Sequence, residues 1–320
     1  MPTASLVVPS RGGRDRLPIL LKALSQQSRD DWEAVIVLDG DVDGSADFLQ
    51  TVNDDRVRVV EFRDNRGRSA ALNAGHQAAR GDVLIRCDDD LEPGLQFVER
   101  HVSRHQDQDC GVVGLYVNRY PDNRYAEVYG RPQDFLFRQQ AYATVPEMRW
   151  RYWAGNVSVT RDQWERVGPY DLTFRAYGWE DVDWGYRLHT SGAQVVLDPS
   201  LETTHHVAAT TTKVRALRAY AAGAAREKFL EKHGRVLPEA PTSGWWNRAS
   251  EFFARVSGER MVAATGSAVD RAAPFLPGAL AGKATAFTVE SAGRAGARQR
   301  PERDVTVSGA ALGGPPPSRT

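Results

Sequence analysis

The chain has 320 residues, in which 41 Lys and Arg balance 41 Asp and Glu. This length suits one large α/β domain with an appendage, or two ordinary domains. Because the net charge is zero, the chain as a whole has no electrostatic preference for nucleic acid or for an anionic bilayer. We therefore expect no nucleic-acid partner, and any charge-dependent function must be local.

The cysteine content and the N-terminus bear on the cellular setting. Cys87 and Cys110 are the only cysteines, which argues against a disulfide framework and favours the cytoplasm. The apolar run near the N-terminus is short and has no basic leader. No segment approaches the ~18 apolar residues needed to cross a bilayer, so we predict neither a signal peptide nor a membrane span.

Short apolar runs rich in β-branched residues recur through the first 120 residues and predict strands buried on both faces. These runs lie at residues 4–10, 33–40, 57–62, 82–90 and 110–117. Between them, residues 17–27 and 69–80 place apolar side chains at helical spacing, the latter after Ser69 as a cap. This alternation predicts an α/β fold with a mainly parallel, doubly wound sheet.

The second half of the chain is less regular. An aromatic and arginine-rich stretch runs from about residue 120 to 180 and contains one predicted strand at 157–160. Further predicted elements are a helix at 178–192, a strand at 193–199 and a helix at 213–233. We predict a catalytic domain at 1–235, a helical extension at 236–290 and a disordered tail, rich in Gly, Ala, Arg and Pro, at 291–320.

Polar residues follow the predicted strands where ligands bind in such sheets, at the carboxyl ends. Pro9 and Arg11 follow the first strand, Asp39 ends the second, and Asp88 to Asp90 end the fourth. Three adjacent carboxylates at a buried strand end repel one another, and a hard cation such as Mg²⁺ or Mn²⁺ is the simplest compensation. The alternative is a solvated acidic loop that caps the next helix.

Five segments in order carry a family resemblance: VVPSRGGRDRLPILLKALSQQ, EAVIVLDG, NRGRSAALNAG, CDDD and GWEDVDWGYRL. Together they resemble the family 2 glycosyltransferases with the GT-A, or nucleotide-diphospho-sugar transferase, fold. The resemblance covers about residues 4–235. It implies metal-dependent, inverting transfer of a sugar from a nucleotide diphosphate donor, UDP-linked by preference, to a saccharide, glycan or glycolipid hydroxyl, as in cell-envelope polysaccharide synthesis.

The resemblance also implies donor-site roles. Pro9 and Asp39 would border the nucleotide base, with Arg11 beside them, and Arg68 would lie near the donor. Asp88 or Asp89 would hold the ribose, and Asp90 would bind the metal. The turn after the second strand is stretched to DGDVDGS, so Asp41 and Asp43 are alternatives to Asp39. For Asp39 itself, an Asp-Gly turn that needs no ligand is the other interpretation.

A second centre is expected at residues 178–181, GWED. In the resembling family the Asp of the Glu-Asp pair removes the acceptor proton, which makes Asp181 the predicted base. Glu180 would bind or orient the acceptor. Helix capping explains the acids equally well, but it does not explain Trp179, whose flat ring suits a sugar.

The remaining candidates depend more strongly on the resemblance. One of His205 and His206 would complete the metal site, although paired histidines are more often ordinary surface or core residues. Trp153 and Asn156 would line the acceptor side, and core packing of large rings is the equal alternative.

Two other functions are open. A sugar-nucleotide nucleotidylyltransferase would use the glycine- and arginine-bearing PSRGGRDR loop, but it has no use for the WED segment. A non-catalytic sugar- or membrane-binding relative would lose the carboxylates that are kept here. Residues 241–320 carry ten Lys and Arg against six Asp and Glu, with Trp245 and Phe252 near their start. They predict either a segment lying on a membrane surface or helices packed on the catalytic domain, and we favour packing.

Overall fold

The computed structural model describes residues 1–174, 178–238 and 243–298. Within these ranges the strands are β1 (Ala4–Ser10), β2 (Trp32–Asp39), β3 (Val57–Phe62), β4 (Val83–Cys87), β5 (Leu91–Glu92), β6 (Cys110–Val113), β7 (Tyr116–Asn118), β8 (Asn156–Thr160), β9 (Gln194–Leu197) and β10 (Thr203–His205). The α-helices are α1 (Leu17–Ser25), α2 (Ser45–Gln50), α3 (Arg68–Ala78), α4 (Phe97–Asp107), α5 (Arg131–Tyr142), α6 (Arg161–Val167), α7 (Glu180–Thr190), α8 (Thr212–His233), α9 (Trp245–Val256), α10 (Glu259–Ala272) and α11 (Gly278–Ala297). Short 3₁₀ or π helices lie at Ala126–Gly130, Pro146–Tyr152, Pro199–Leu201 and Ala273–Phe275.

The chain forms two compact units. The first consists of residues 1–119, 137–174 and 180–206. The second consists of residues 120–136, 178–179 and the described residues from 207 onward. Helix α8 therefore belongs to the C-terminal unit, whereas the sequence grouped it with the catalytic domain.

A seven-stranded sheet organises the first unit, in the order β3-β2-β1-β4-β8-β6-β9. Strands β1 to β4 are mutually parallel, and β8 runs antiparallel to both β4 and β6. The predicted α/β fold with a mainly parallel sheet is thus confirmed. All residues of β1 and β2 are buried, as expected for strands covered on both faces.

Helix α3 lies very close to this sheet because it presents a glycine to it. A Cβ at Gly75 would overlap the side chain of Val7 in β1. This glycine therefore allows α3, which begins at Arg68, to pack directly over the centre of the sheet.

The first unit also contains a small second sheet of three strands, in the order β5-β10-β7. The sequence predicted one strand over 110–117, but the chain forms β6 and β7 on different sheets. The break falls at Gly114, where any side chain would collide with Asn156 and with the Leu201 backbone. Close backbone approach, invisible in the apolar pattern, therefore divides the run.

The C-terminal unit is helical, and its small residues allow close packing. Any side chain at Gly223 of α8 would collide with the Gly293 carbonyl of α11, and one at Gly296 would collide with Tyr220. Helix α11 continues to Ala297, so the predicted disorder is wrong for residues 291–297. The glycines and alanines of this segment allow α11 to pack closely on α8. Residues 299–320 lie outside the described residues.

Two other predictions concern membranes and disulfides. In the described part of the chain no helix is both long and apolar enough to cross a bilayer. Cys87 and Cys110 are buried and free, which confirms that they form no disulfide.

Candidate active site

The parallel strands bring their polar carboxyl ends to one edge of the sheet. Strand β1 ends at Ser10 and pairs with β2, which ends at Asp39, and with β4, which is followed by Asp88 to Asp90. The edge expected from the sequence is therefore formed, with acids from two strands and Pro9 and Arg11 from the first.

Asp39 anchors the loop that leads into α3. Its carboxylate accepts hydrogen bonds from the backbone amides of Arg66, at 2.6 Å, and Gly67, at 2.9 Å. Asp41 accepts from the amides of residues 43–46 in its own turn, and Asp43 accepts from the Arg14 amide. All three acids thus have local structural tasks, and a contact with a nucleotide base stays a prediction.

Asp89 is the most enclosed acid of the triplet. Ser10 Oγ donates to its Oδ2 at 2.6 Å, and the guanidinium of Arg16 donates to both carboxylate oxygens, at 2.8 and 3.1 Å. The side chain is buried. It therefore ties the loop after β1 to the end of β4.

Asp88 faces two arginines. Arg86 donates to both of its oxygens, at 2.9 and 3.3 Å, and Arg68 lies 3.9 Å away. Any side chain at Gly155 would collide with this carboxyl group, and the Gly155 amide donates to Tyr116 Oη at 2.7 Å. A glycine at this position is therefore required for Asp88 to lie where it does.

Asp90 and His205 form a pair that suits a cation. Asp90 Oδ2 and His205 Nε2 are 3.2 Å apart. The other ring nitrogen of His205 contacts Asn118 Oδ1 at 2.6 Å, and because an amide oxygen only accepts, this contact assigns the proton to Nδ1. With Nδ1–H held by an acceptor, Nε2 is the ring nitrogen placed to bind a cation beside the Asp90 carboxylate, as in metal-binding histidines.

His206 points to a different acid. Its Nε2 contacts Glu92 Oε2 at 2.7 Å. Across the described residues, no three His, Cys, Asp or Glu side chains group into a complete metal site. A metal at Asp90 and His205 would therefore need further ligands from water or a substrate diphosphate, as Mg²⁺ and Mn²⁺ commonly take.

The acids at the start of α7 meet the acids after β4 through one arginine. Arg86 is 1 % exposed, and its guanidinium bonds to both Asp88 and Asp181. Glu180 lies 3.9 Å from Arg68. The two acidic segments are some ninety residues apart in sequence, and both contact the same two arginine side chains, Arg86 and Arg68, in the first unit.

Burial sets the protonation of the α7 acids. Burial, followed by the charge of Asp181, raises the pKa of Glu180 to about 7. Glu180 Oε2 is buried without a hydrogen-bond partner among the described residues. Burial also raises the pKa of Asp181, and the nearby Arg86 and Arg68 oppose that rise. Carboxyls with raised pKa values are typical of groups that exchange protons near neutrality.

Trp179 lies in the C-terminal unit, directly before these acids. Its φ of 73° is unusual for a residue with a side chain, and no other non-glycine residue in the described ranges has positive φ. Its ring lies 5.2 Å from that of Phe229. Strained backbone of this kind clusters at functional sites.

Trp153 and Asn156 lie inside the protein. Asn156 donates to the Leu201 carbonyl and contacts His101 Nε2 through its Oδ1, while Trp153 stacks on Trp184. Both are buried. The structure therefore favours core packing for both residues, the alternative that the sequence left open, over contact with an acceptor.

Sequence reasoning missed several residues of this site. Arg86 was identifiable, because an arginine within a strand buried on both faces requires a partner of opposite charge. Arg16, Asn118 and Tyr116 gave no comparable signal, since their roles depend on contacts between distant segments.

Comparisons with known proteins agree with this geometry. The profile of "Glycosyl transferase family 2" matches residues 5–163, and that of "N-terminal domain of galactosyltransferase" matches residues 137–210. The chain is 24% identical over 277 residues to a validoxylamine A glucosyltransferase of Streptomyces hygroscopicus subsp. jinggangensis, which covers 75% of this chain and 63% of the relative. It is 30% identical over 179 residues to an undecaprenyl-phosphate 4-deoxy-4-formamido-L-arabinose transferase of Pectobacterium carotovorum, covering 54% of this chain and 48% of the relative.

Solved structures share the fold. A mannosyltransferase from Pyrobaculum calidifontis, in complex with GDP-Man and Mn²⁺, superposes with a TM-score of 0.60 at 18% identity, covering 92% of this chain and 87% of that one. The Staphylococcus aureus protein TarS 1–349 gives 0.51 at 14% identity, covering 93% and 90%. The chain spans less than two thirds of the length of the curated relatives above. Taken with the acidic edge and the α7 acids, these matches identify the chain as a member of the family 2 glycosyltransferases with the GT-A fold.

Proposed function

We propose that this chain is an inverting glycosyltransferase that moves a sugar from a nucleoside diphosphate, UDP for preference, to a hydroxyl of a saccharide, glycan or glycolipid. One observation carries the proposal: Arg86 contacts both Asp88 and Asp181, so the donor-side acids and the acid predicted as base face one centre. The named activities of the relatives, transfer of glucose and of a modified arabinose, support sugar transfer.

The donor would lie against the edge formed by β1, β2 and β4. Asp89 accepts three hydrogen bonds from Ser10 and Arg16 and is the more enclosed of the two acids, whereas Asp88 accepts two from Arg86, so Asp88 is the better candidate for the ribose hydroxyls. Arg68 is 48% exposed and makes only long contacts with its acids, so its guanidinium keeps donors for a diphosphate. Arg11 is exposed at the same edge.

A divalent cation, Mn²⁺ or Mg²⁺, would be held by Asp90 and His205. The support is geometric: His205 Nε2 lies 3.2 Å from Asp90 Oδ2 while Nδ1 contacts Asn118, whereas His206 Nε2 contacts Glu92. When bound, such a cation neutralises charge on the departing diphosphate. The Mn²⁺ named in the complex of the superposed mannosyltransferase supports a divalent cation, without bearing on its ligands.

Asp181 is the proposed base. It accepts the acceptor hydroxyl proton as the acceptor oxygen forms a bond to the anomeric carbon, and the electron pair of the breaking carbon–oxygen bond leaves with the diphosphate. Attack from the face opposite the diphosphate inverts the anomeric centre. Arg86 holds the Asp181 carboxylate in place and favours its charged form despite burial.

Glu180 would position the acceptor. With a pKa of about 7, Glu180 is partly protonated near neutrality and is able either to donate or to accept a hydrogen bond. A contact of Trp179 with a sugar, expected from its flat ring, stays a prediction from the sequence.

The decisive experiment measures nucleoside diphosphate release by the full chain from a panel of UDP-, GDP- and dTDP-sugars, with Mn²⁺ or with a chelator. We expect one donor to be hydrolysed slowly in a metal-dependent manner, and faster when an acceptor is added. Asp162→Asn is a matched control for Asp181→Asn, because Asp162 is an exposed acid in the first turn of another helix, α6. Pyrophosphate-dependent breakdown of the donor, with no diphosphate release, would instead indicate a nucleotidylyltransferase. Binding without turnover would indicate a non-catalytic relative.

A further inference from the structure

Helix α9 has two distinct faces. Its inner face packs on α11: Trp246 Nε1 donates to Glu290 Oε2 at 2.7 Å, and the Trp246 and Phe253 rings contact Phe287 edge-on. Ser250 and Ala254 on this face are buried. One side of α9 is therefore covered by a helix of its own unit, and packing of this region on the catalytic domain stays a prediction.

The outer face of α9 exposes three large apolar side chains. Trp245 is 76% exposed, Phe252 70% and Val256 57%. Their spacing of seven and then four residues places them on one stripe of the helix. We call Trp245, Phe252 and Val256 the α9 stripe. An exposed Trp, Phe and Val in one row differs from the single apolar residues that ordinary surfaces carry.

Positive charge flanks the α9 stripe. Arg248 and Arg255 are exposed, and their helical positions put both on the same side of the stripe. The acid nearest to them, Glu251, is bonded to Arg298 and lies 3.6 Å from Arg294. Arg255 is 4.0 Å from the same carboxylate but remains 65% exposed, a surface pair that leaves its charge available.

We propose that the α9 stripe is a docking surface for an anionic lipid bilayer, on which α9 lies parallel to the membrane plane. An apolar row containing Trp and Phe beside arginines is the pattern of helices that lie in the lipid interface. The twelve residues of α9 are too few to span a bilayer, which needs about 20. A second copy of the chain would bring its own arginines to an already positive surface, which disfavours self-association there.

This inference is independent of the proposed reaction, because it rests on residues of the C-terminal unit alone. It supplies a partner of defined chemistry: apolar acyl chains for the stripe and lipid phosphates for Arg248 and Arg255. It also agrees with a chain whose overall charge is zero, since the attraction is confined to one helix.

The test is co-sedimentation of the full chain with vesicles of phosphatidylcholine alone or mixed with phosphatidylglycerol. We expect binding to the mixed vesicles that weakens at high salt. Replacing both rings, Trp245→Ser with Phe252→Ser, should lower the partition coefficient by about tenfold or more, given the apolar area that two rings bury. Each of Arg248→Gln and Arg255→Gln should lower it by about fivefold on anionic vesicles only.

Phe135→Ser is the matched control, because Phe135 is an exposed ring on α5, outside the α9 stripe. It should leave vesicle binding unchanged. Circular dichroism should give the same melting temperature for all variants, because the replaced side chains are exposed. Equal vesicle binding by the wild type and the double variant would overturn the proposal. So would absence of binding to mixed vesicles together with a dimer that the double variant converts to a monomer.

Discussion

Replacing Arg86 tests how the two acidic segments are joined. In Arg86→Gln the carboxylates of Asp88 and Asp181 lose the cation between them, in a site where Arg86 itself is 1 % exposed. Breaking a buried ion pair by removing one partner costs about 3–5 kcal/mol. We therefore expect the variant to unfold at a clearly lower urea concentration than the wild type.

The catalytic consequence is a shift in pH dependence. An arginine within contact distance lowers a carboxyl pKa, so its loss raises the pKa of Asp181 further. Because the base must be deprotonated, the acid limb of kcat/KM should move to higher pH. Arg86→Lys keeps the charge but lacks the planar guanidinium that bridges two carboxylates. The acid limb of its kcat/KM profile should therefore move less than that of Arg86→Gln, while its kcat still falls.

The control for a purely structural effect is Arg58→Gln. Arg58 on β3 pairs with the buried Glu33 on β2, at 2.8 Å, in the same sheet. This variant should lose stability but keep the wild-type pH limb. If Arg86→Gln folds and its acid limb coincides with that of the wild type, the role assigned to Arg86 and Asp181 is wrong.

Three further predictions concern single groups of the site. Asp181→Asn should retain donor binding in a thermal-shift assay yet lose transfer by about 10²–10⁴-fold, the usual contribution of a general base, and near-normal transfer would reject the base assignment. His205→Ala should weaken the Mn²⁺ dependence of donor binding by about 10-fold or more, whereas His206→Ala should not, and the reverse order would exchange their roles. Glu180 has a pKa raised from 4.5 to about 7, so its protonated form favours the fold at low pH and that contribution is lost as the pH rises from 4.5 through 7. Wild-type stability should therefore fall over this range by about 2–3 kcal/mol more than that of Glu180→Gln, and equal pH slopes in urea denaturation would contradict the shift.

The fold was predictable where it depends on local pattern. Continuous apolar runs bounded by turn residues identified β1 and β2 almost to the residue, because strands that are buried on both faces consist mostly of apolar residues. The breaks were not predictable. Gly114 divides a run because of a backbone that arrives from residue 201, and the glycines of α11 resemble a flexible tail until α8 is packed against them.

The candidate site was predictable in its acids and less so in its cations. Asp88 to Asp90 and Asp181 carry a spacing that the family resemblance explains. Arg86 lies at the centre of the site, but of its two partners one is two residues away and the other is more than ninety residues away in sequence. Only folding brings these charges together, so neither periodicity nor motif order specified the contact.

A structure of the full chain with UDP and Mn²⁺, in which anomalous scattering locates the metal, tests the central claim most directly. We expect Mn²⁺ between Asp90 and His205, with the diphosphate on the Arg68 side and Asp181 facing the position of the missing sugar. Nucleotide bound away from the β1–β4 edge, or Mn²⁺ ligated by neither Asp90 nor His205, would contradict it.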